Sequence, residues 1–225
     1  MQYSTFAAID IGSYDVILEI FEISKKQGIR SVDKICHRME LGKDTYTLGK
    51  IRPEMEEELC RVLADFVRIM EGYRVDAYRA MASSAISEAA NSLYVLGKIR
   101  QLTGLSVTVL SNSEQRFLGY KALAAMEDNF NKIIEKGTAI LDLDGGSFQI
   151  SLFDKDALVT TQNIRMGSLR IRERLAGIQS ETEHYEEMVE ELIWNEVSSF
   201  KKMYLKDRKI ENIMLIGDVF TDSVY

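Results

Sequence analysis

An internal repeat constrains the fold of this chain more than any other feature of its sequence. Residues 8–21 read AIDIGSYDVILEIF, and residues 140–153 read ILDLDGGSFQISLF. Each segment is an apolar strand ending in Asp, a turn with Gly and Ser, and a second strand opening with an aromatic residue. The alignment pairs Asp10 with Asp142, Gly12 with Gly146 and Ser13 with Ser147, and treats residues 144–145 as an insertion. The two copies lie much farther apart than the roughly 20–50 residues at which solenoid repeats recur, so the repeat predicts a duplicated domain.

The segments between the two hairpins alternate between strand and helix patterns. A helix is predicted from Pro53, another from Asn91 as its cap, and a third after the S-x-x-E capping box of Ser111 and Glu114. Strands alternating with helices predict an α/β fold with two domains, residues 1–128 and 129–225. The sequence stops just after a predicted strand, at residues 213–217, so we expect the second domain to be incomplete at its C-terminus.

Composition excludes several classes of function. The chain has 225 residues and a formal net charge of −7, which argues against general binding to nucleic acid or to an anionic membrane. No apolar run approaches the length of a membrane span, and the N-terminus lacks the pattern of a signal peptide. Cys36 and Cys60 lie in no metal-binding or disulfide pattern, so we expect two reduced thiols in a cytoplasmic protein.

The paired turns suggest a site for an anion. Glycine allows the backbone to approach an anion closely, and successive N–H groups form a concave anion site. An Asp beside such a turn is suited to Mg²⁺, which prefers oxygen ligands. A single hairpin uses Asp, Gly and Ser for backbone reasons alone, and that reading stays open for each copy. Two matched copies favour a phosphate held by both turns.

Four motifs resemble those of the exopolyphosphatase / guanosine pentaphosphate phosphatase (Ppx/GppA) family, within the actin, heat-shock ATPase and sugar-kinase superfamily. The segments are DIGSYD at residues 10–15, ASSAISEAAN at 82–91, SNSEQRFL at 111–118 and DLDGGSFQ at 142–149. They occur in the order and at the spacing that the family shows. The chain is therefore identified as a member of that family, whose members usually continue beyond the length seen here.

The resemblance implies duplicated actin-like (ribonuclease H-like) α/β domains with a cleft between them. It further implies a phosphoanhydride hydrolase that acts with Mg²⁺ on polyphosphate, a guanosine alarmone or a nucleotide. The implied catalytic positions are Glu114, Gln115 and Gln149; the phosphate-binding residues are Gly12, Ser13, Gly145, Gly146, Ser147 and Arg165; the metal ligands are Asp10, Asp142 and Asp144.

Five positions depart from the family pattern. Gln115 stands where the family has the Glu thought to activate water, and an amide cannot accept a proton at neutral pH. The other departures are Gln149 for Glu, Asp144 for Gly, Ser87 for Arg and Tyr14 for Asn. Asp144 adds a carboxylate to a turn that should receive a phosphate, which is repulsive unless a metal intervenes.

Three hypotheses therefore remain. The first is the hydrolase, with Glu114, Asp144 or a bound metal supplying what Gln115 cannot. The second is a catalytically impaired relative that binds a nucleotide or phosphate as a regulatory module. The third is an interaction protein. Four arginines follow the third strand of the second domain: Arg165, Arg170, Arg172 and Arg174. They either bind a phosphate chain or lie on a solvated helix face and pair with Glu173. Homodimerisation is left open.

Overall fold

The computed structural model describes residues 3–127, 129–177, 184–206 and 208–217. The chain forms two compact units, Met1–Ser113 and Glu114–Tyr225. The sequence analysis places the change of domain at residues 128 and 129, whereas the units separate within the first turn of the helix Asn112–Met126. The reason lies in that helix, because Tyr120 and Leu123 on it pack against the apolar core of the second unit.

The first unit is built on a five-stranded sheet. Its strands are β1 (Ser4–Ile11), β2 (Asp15–Ser24), β3 (Gly28–Arg38), β4 (Ala77–Ala82) and β5 (Val107–Val109), in the spatial order β3-β2-β1-β4-β5. Its helices are α1 (Leu41–Leu48), α2 (Pro53–Gly72), α3 (Ser84–Ser87) and α4 (Ser92–Thr103). The first three strands form an antiparallel meander, and β1 pairs with β4 in parallel.

The second unit repeats that plan. Helices α5 (Asn112–Met126) and α6 (Phe130–Ile134) precede strands β6 (Thr138–Leu143), β7 (Phe148–Asp154) and β8 (Ala157–Ile164), which are followed by helices α7 (Ser168–Leu175) and α8 (Tyr185–Tyr204) and strand β9 (Asn212–Ile216). The order β8-β7-β6-β9 reproduces β3-β2-β1-β4, with the same antiparallel and parallel pairings. The predicted α/β class and the predicted duplication are confirmed.

Alternating burial explains why the hairpin strands form. Ala7, Ile9 and Ile11 of β1 point to one face and are buried, while Asp10 between them is exposed. In α2 the apolar residues follow helical spacing, and Leu59, Leu63 and other members of this stripe are buried in the core of the first unit. Each fully buried Leu contributes about 1.5–3 kcal/mol relative to an exposed one.

The predicted helices are present, together with α1, α3 and α6, which the sequence does not predict. Helix α1 has eight residues with few apolar side chains, and α3 and α6 have only four and five residues, so none of the three carries a clear pattern. The apolar spacing of the sequence predicts a long helix from about Glu183 to Lys206. It corresponds to α8 (Tyr185–Tyr204), and Glu183 lies outside the described residues. Val197, Phe200 and Leu205 pack on the second core as expected, whereas Ile193 is exposed.

Asn91 occupies the N-cap position of α4, as predicted, but its side chain makes no cap hydrogen bond. Its Oδ1 accepts from the backbone N–H of Ile51 at 3.0 Å, and its Nδ2 donates to the carbonyl oxygen of Ile51 at 2.8 Å. The amide therefore mimics a strand partner for a buried loop residue rather than a helix cap.

Replacing Asn91 with Ala should lower the free energy of unfolding by about 1–3 kcal/mol, since both backbone groups of Ile51 lose their partner. Urea unfolding measures the difference. Asn195→Ala, on the exposed side of α8, is the matched control and should change stability by less than about 0.5 kcal/mol. Equal losses in the two variants would contradict this role of Asn91.

Candidate functional site

The first turn (residues 12–14) joins β1 to β2 and is closed by its own backbone. The N–H of Gly12 donates to the carbonyl oxygen of Asp15 at 2.9 Å. A Cβ on Gly12 would lie 3.0 Å from that same oxygen, which is closer than side chains normally allow. Glycine is therefore required here by close backbone approach. Ser13, which follows it, is only 4% exposed.

Three hydroxyl groups meet at the first turn. Ser13 Oγ lies 2.6 Å from Tyr46 Oη, which in turn lies 2.8 Å from Ser84 Oγ. Tyr46 comes from α1 and Ser84 from the start of α3, so two helices fix the position of the Ser13 hydroxyl. Sequence reasoning missed Tyr46, because nothing in its local pattern distinguishes it from the other aromatic residues of the chain.

The two first-unit departures from the family pattern lie at different places. The guanidinium of Arg38 lies over the ring of Tyr14, 4.7 Å from its centroid, so the aromatic residue holds a cation beside the turn. Ser87 is exposed at the end of α3. Asp10 is exposed near the end of β1, opposite Ile17 in the antiparallel ladder.

The second turn (residues 144–147) is held on its carbonyl side by α7. The carbonyl oxygen of Asp144 accepts from the N–H of Ser168 at 3.1 Å, and that of Gly145 accepts from the N–H of Arg170 at 3.1 Å. The carbonyl oxygen of Gly146 accepts from Nε of Arg170 at 3.0 Å. Three successive carbonyl groups are therefore engaged by the beginning of one helix.

The N–H groups of the same three peptides form the amide row, which comprises the backbone N–H of Gly145, Gly146 and Ser147. Because a trans peptide is planar, each of these N–H groups points opposite to the carbonyl group of the same peptide. No hydrogen bond joins these three N–H groups to any other described residue. Successive unengaged N–H groups on one side of a turn make a site for an anion.

Gln115 reaches the second turn from α5. Its Nε2 donates to Oδ2 of Asp144 at 3.0 Å, and both side chains are half-buried. Glu114, the adjacent residue, is exposed. Two of the substitutions that distinguish this chain from the family pattern, at 115 and 144, are thus in direct contact.

Gln149 and Asp142 face each other in the β6–β7 ladder, and Gln149 is 6% exposed. The described residues contain no group of three or more His, Cys, Asp or Glu side chains that could hold a metal ion. Mg²⁺ commonly takes only one or two carboxylates and completes its shell with water and phosphate oxygens. Asp142 at the end of β6 and Asp144 in the second turn meet that requirement in their chemistry.

Of the four arginines, Arg172 fits the helix-face interpretation, since its guanidinium pairs with Glu173 at 2.9 Å. Arg170 instead holds the second turn, a role that sequence reasoning missed because spacing alone cannot show which carbonyl a side chain reaches. Arg165 is exposed just after β8, and Arg174 is exposed on α7. In the second unit the structure thus brings together Gln115, Asp144, Gly145, Gly146 and Ser147.

Gly167 allows α7 to approach the second turn. A Cβ at this position would lie 2.3 Å from the carbonyl oxygen of Asp144 and 2.4 Å from the backbone nitrogen of Ser147. Any side chain would therefore push α7 away from the turn. The sequence Met166-Gly167-Ser168 predicts a turn, and the structure gives this glycine a packing role.

The chain is similar to known proteins both in sequence and in structure. The model of the Ppx/GppA phosphatase family matches residues 19–224. The chain belongs to the Ppx/GppA phosphatase family. The solved structure of the Ppx/GppA family member from Aquifex aeolicus aligns with a TM-score of 0.71 at 23% identity, covering 98% of this chain and 68% of that one. An exopolyphosphatase from Cytophaga hutchinsonii aligns with a TM-score of 0.72 at 19% identity, covering 95% and 66%.

Curated Ppx/GppA relatives are longer than this chain. Exopolyphosphatase 1 of Mycobacterium leprae is 26% identical over 144 residues, which is 64% of this chain and 41% of that protein. The bifunctional 3-dehydroquinate synthase/phosphatase of Fusobacterium nucleatum is 22% identical over 174 residues, 75% of this chain and 26% of that protein. The chain therefore spans between about a quarter and two fifths of these relatives. The duplicated α/β architecture is the actin-like fold of the Ppx/GppA structures.

None of the helices in the described part of the chain has the length and apolar character that crossing a bilayer requires.

Replacing Gly167 with Ala should destabilise the second unit by about 1–3 kcal/mol, because the new methyl group has no room against the turn backbone. Urea unfolding gives the difference. Gly97→Ala is the matched control, since Gly97 lies within α4 with no atom within 4 Å of the added Cβ. This control should gain about 0.4–1 kcal/mol from its lower unfolded-state entropy. A neutral Gly167→Ala would contradict the packing described.

Proposed function

We propose that the protein is a phosphoanhydride hydrolase of the exopolyphosphatase / guanosine pentaphosphate phosphatase type, acting on polyphosphate or a guanosine alarmone. The observation that carries the proposal is the amide row of Gly145, Gly146 and Ser147, whose orientation is fixed by α7. Membership of a phosphatase family supports the reaction class. We further propose that the whole protein carries this activity, in a cleft between its two domains.

The amide row would bind the oxygens of the terminal phosphate. Donors that are already oriented stabilise charge developing in the transition state without reorganising, and removing one such donor typically slows a reaction by about 10²–10³-fold. Water attacks the terminal phosphorus in line, the bridging P–O bond breaks, and inorganic phosphate and a chain shorter by one unit are released. The fixed hydroxyl of Ser13 would supply a further donor from the first turn.

Mg²⁺, when bound, would neutralise negative charge on the phosphate oxygens, and Asp142 or Asp144 would hold it while water and phosphate oxygens complete its shell. Gln115 cannot accept the proton of the attacking water. That proton would pass to Glu114 or Asp144, the carboxylates beside Gln115 in the chain and in space.

A second candidate function has an observation of its own. The amide of Gln115 is engaged with Asp144, so the position that carries the family's base holds a structural contact instead. Loss of a general base costs about 10²–10⁴-fold in rate. The chain would then be a catalytically impaired relative that binds a nucleotide or a phosphate chain as a regulatory module in the cytoplasm.

The decisive assay follows phosphate release by the purified full chain from polyphosphate and from guanosine pentaphosphate, with Mg²⁺ present. Turnover supports the hydrolase. Binding of either compound in calorimetry without turnover supports the regulatory module and rejects the hydrolase. Silence in both experiments rejects both functions and leaves the interaction protein.

Arg165→Ala should weaken polyphosphate binding about tenfold, and less at high salt, because an exposed charged donor next to the second turn is lost. Arg174→Ala removes the same charge from the far end of α7 and is the control, with no change expected beyond about twofold. Calorimetry at two salt concentrations measures both variants. Equal effects would show a nonspecific charge contribution and contradict a role for Arg165 in binding phosphate.

A further inference from the structure

We propose that Asn163 of β8 is a positioning residue of the second turn, and that it directs the hydroxyl proton of Ser147 toward the terminal phosphate. The inference rests on the proposed function, since it concerns the same turn. It adds to the amide row a side-chain donor whose direction is set by a neighbouring strand.

The strand register places Asn163 beside the second turn. Gln149 faces Asn163 in the antiparallel β7–β8 ladder. Side chains alternate between the two faces of a strand, so Ser147, two residues before Gln149, lies on the side that carries Asn163. Diagonal neighbours on paired antiparallel strands are close enough for their side chains to meet. Here Nδ2 of Asn163 donates to Oγ of Ser147 at 3.2 Å.

Helix α5 anchors the part of β8 from which Asn163 extends. Oγ1 of Thr161 accepts from Nη1 of Arg116 at 3.0 Å and lies 3.1 Å from Oγ of Ser151. Tyr120 donates to the same Ser151 oxygen, and Ser151 is only 1% exposed. Thr161 and Asn163 are two residues apart and therefore share one face of β8. The contacts of Thr161 thus restrict the position of Asn163 as well.

The contact with Asn163 determines how the Ser147 hydroxyl can bond. A serine hydroxyl has one proton to donate and an oxygen that accepts, whereas the NH₂ group of asparagine only donates. Ser147 therefore accepts from Asn163 and keeps its own proton for another partner. None of the other residues that the structure describes accepts this proton. It is available to a phosphate oxygen, which is an acceptor.

Ser147 also supplies the last N–H of the amide row, so its hydroxyl lies beside the anion that the row would bind. A donor that is already oriented stabilises developing charge without reorganising. An acceptor at position 163 would instead attract the Ser147 proton and withdraw it from the phosphate. Asn163 therefore acts through Ser147 and needs no contact with the ligand.

Calorimetry with tripolyphosphate as the probe, in excess Mg²⁺ and on the full chain, tests the proposal through a double-mutant cycle. Ser147→Ala should bind about tenfold more weakly than wild type, because a hydrogen bond to a charged ligand is lost. Asn163→Ala should weaken binding about fivefold in wild type but less than about twofold in Ser147→Ala, since the hydroxyl on which it acts is absent there. Asn195→Ala removes an exposed amide from α8 and is the control, with affinity within about twofold of wild type.

A second variant reverses the direction of the hydrogen bond. Asn163→Asp keeps the size of the side chain, but its carboxylate only accepts and would take the proton of Ser147. Its affinity should fall about tenfold or more, and less in the Ser147→Ala background, where only repulsion between the new carboxylate and the phosphate remains. In ¹H–¹⁵N spectra, the side-chain amide of Asn163 should shift when tripolyphosphate binds wild type and stay unchanged when it binds Ser147→Ala.

The possible results separate the two proposals. Equal losses from Asn163→Ala in the two backgrounds would show a purely structural role and overturn the inference while leaving the proposed function intact. An Asn163→Asp variant that binds as tightly as wild type would do the same. Failure of wild type to bind tripolyphosphate with Mg²⁺ overturns the proposed function and the inference with it. Circular dichroism and thermal unfolding confirm that each variant is folded.

Discussion

The engagement of three successive carbonyl groups by the beginning of α7 determines what the second turn can do. Ser168 and Arg170 hold the carbonyls of residues 144–146, and peptide planarity then directs each N–H of the amide row opposite to the carbonyl of the same peptide. Gly167 makes the close approach of α7 sterically feasible. The anion site proposed here would use backbone N–H groups, which suits a protein whose net charge is negative.

The duplicated sheet provides the framework for this arrangement. In each unit the first strand ends just before a glycine-containing turn, and that strand has one antiparallel and one parallel neighbour. The two turns differ in how they are held. Hydroxyl groups of Tyr46 and Ser84 surround Ser13 in the first unit, whereas α7 supports the second turn through backbone carbonyls. The two repeated hairpins are thus supported in two different ways.

Much of this fold is predictable because the patterns are local. Strand alternation in β1 and β2, the proline that opens α2, and the repeated Asp-Gly-Ser turn are all visible in the sequence. Contacts between distant residues are not. The hydrogen bonds from Gln115 to Asp144 and from Arg170 to Gly146 depend on tertiary packing. The local sequence predicts that the Asn91 side chain caps α4, but in the structure this side chain bonds the distant backbone of Ile51 instead. The missed helix α1 carries Tyr46, so the hydroxyl cluster was missed with it.

The amide resonances of Gly145, Gly146 and Ser147 report most directly on whether the second turn binds phosphate. A ¹H–¹⁵N titration with tripolyphosphate and Mg²⁺ should shift these three amides more than those of the exposed β7–β8 hairpin, because a hydrogen bond from each N–H to a phosphate oxygen changes its environment. Unchanged amides at residues 145–147, together with binding detected in calorimetry, would place the ligand elsewhere and contradict the assignment of this turn as the phosphate site.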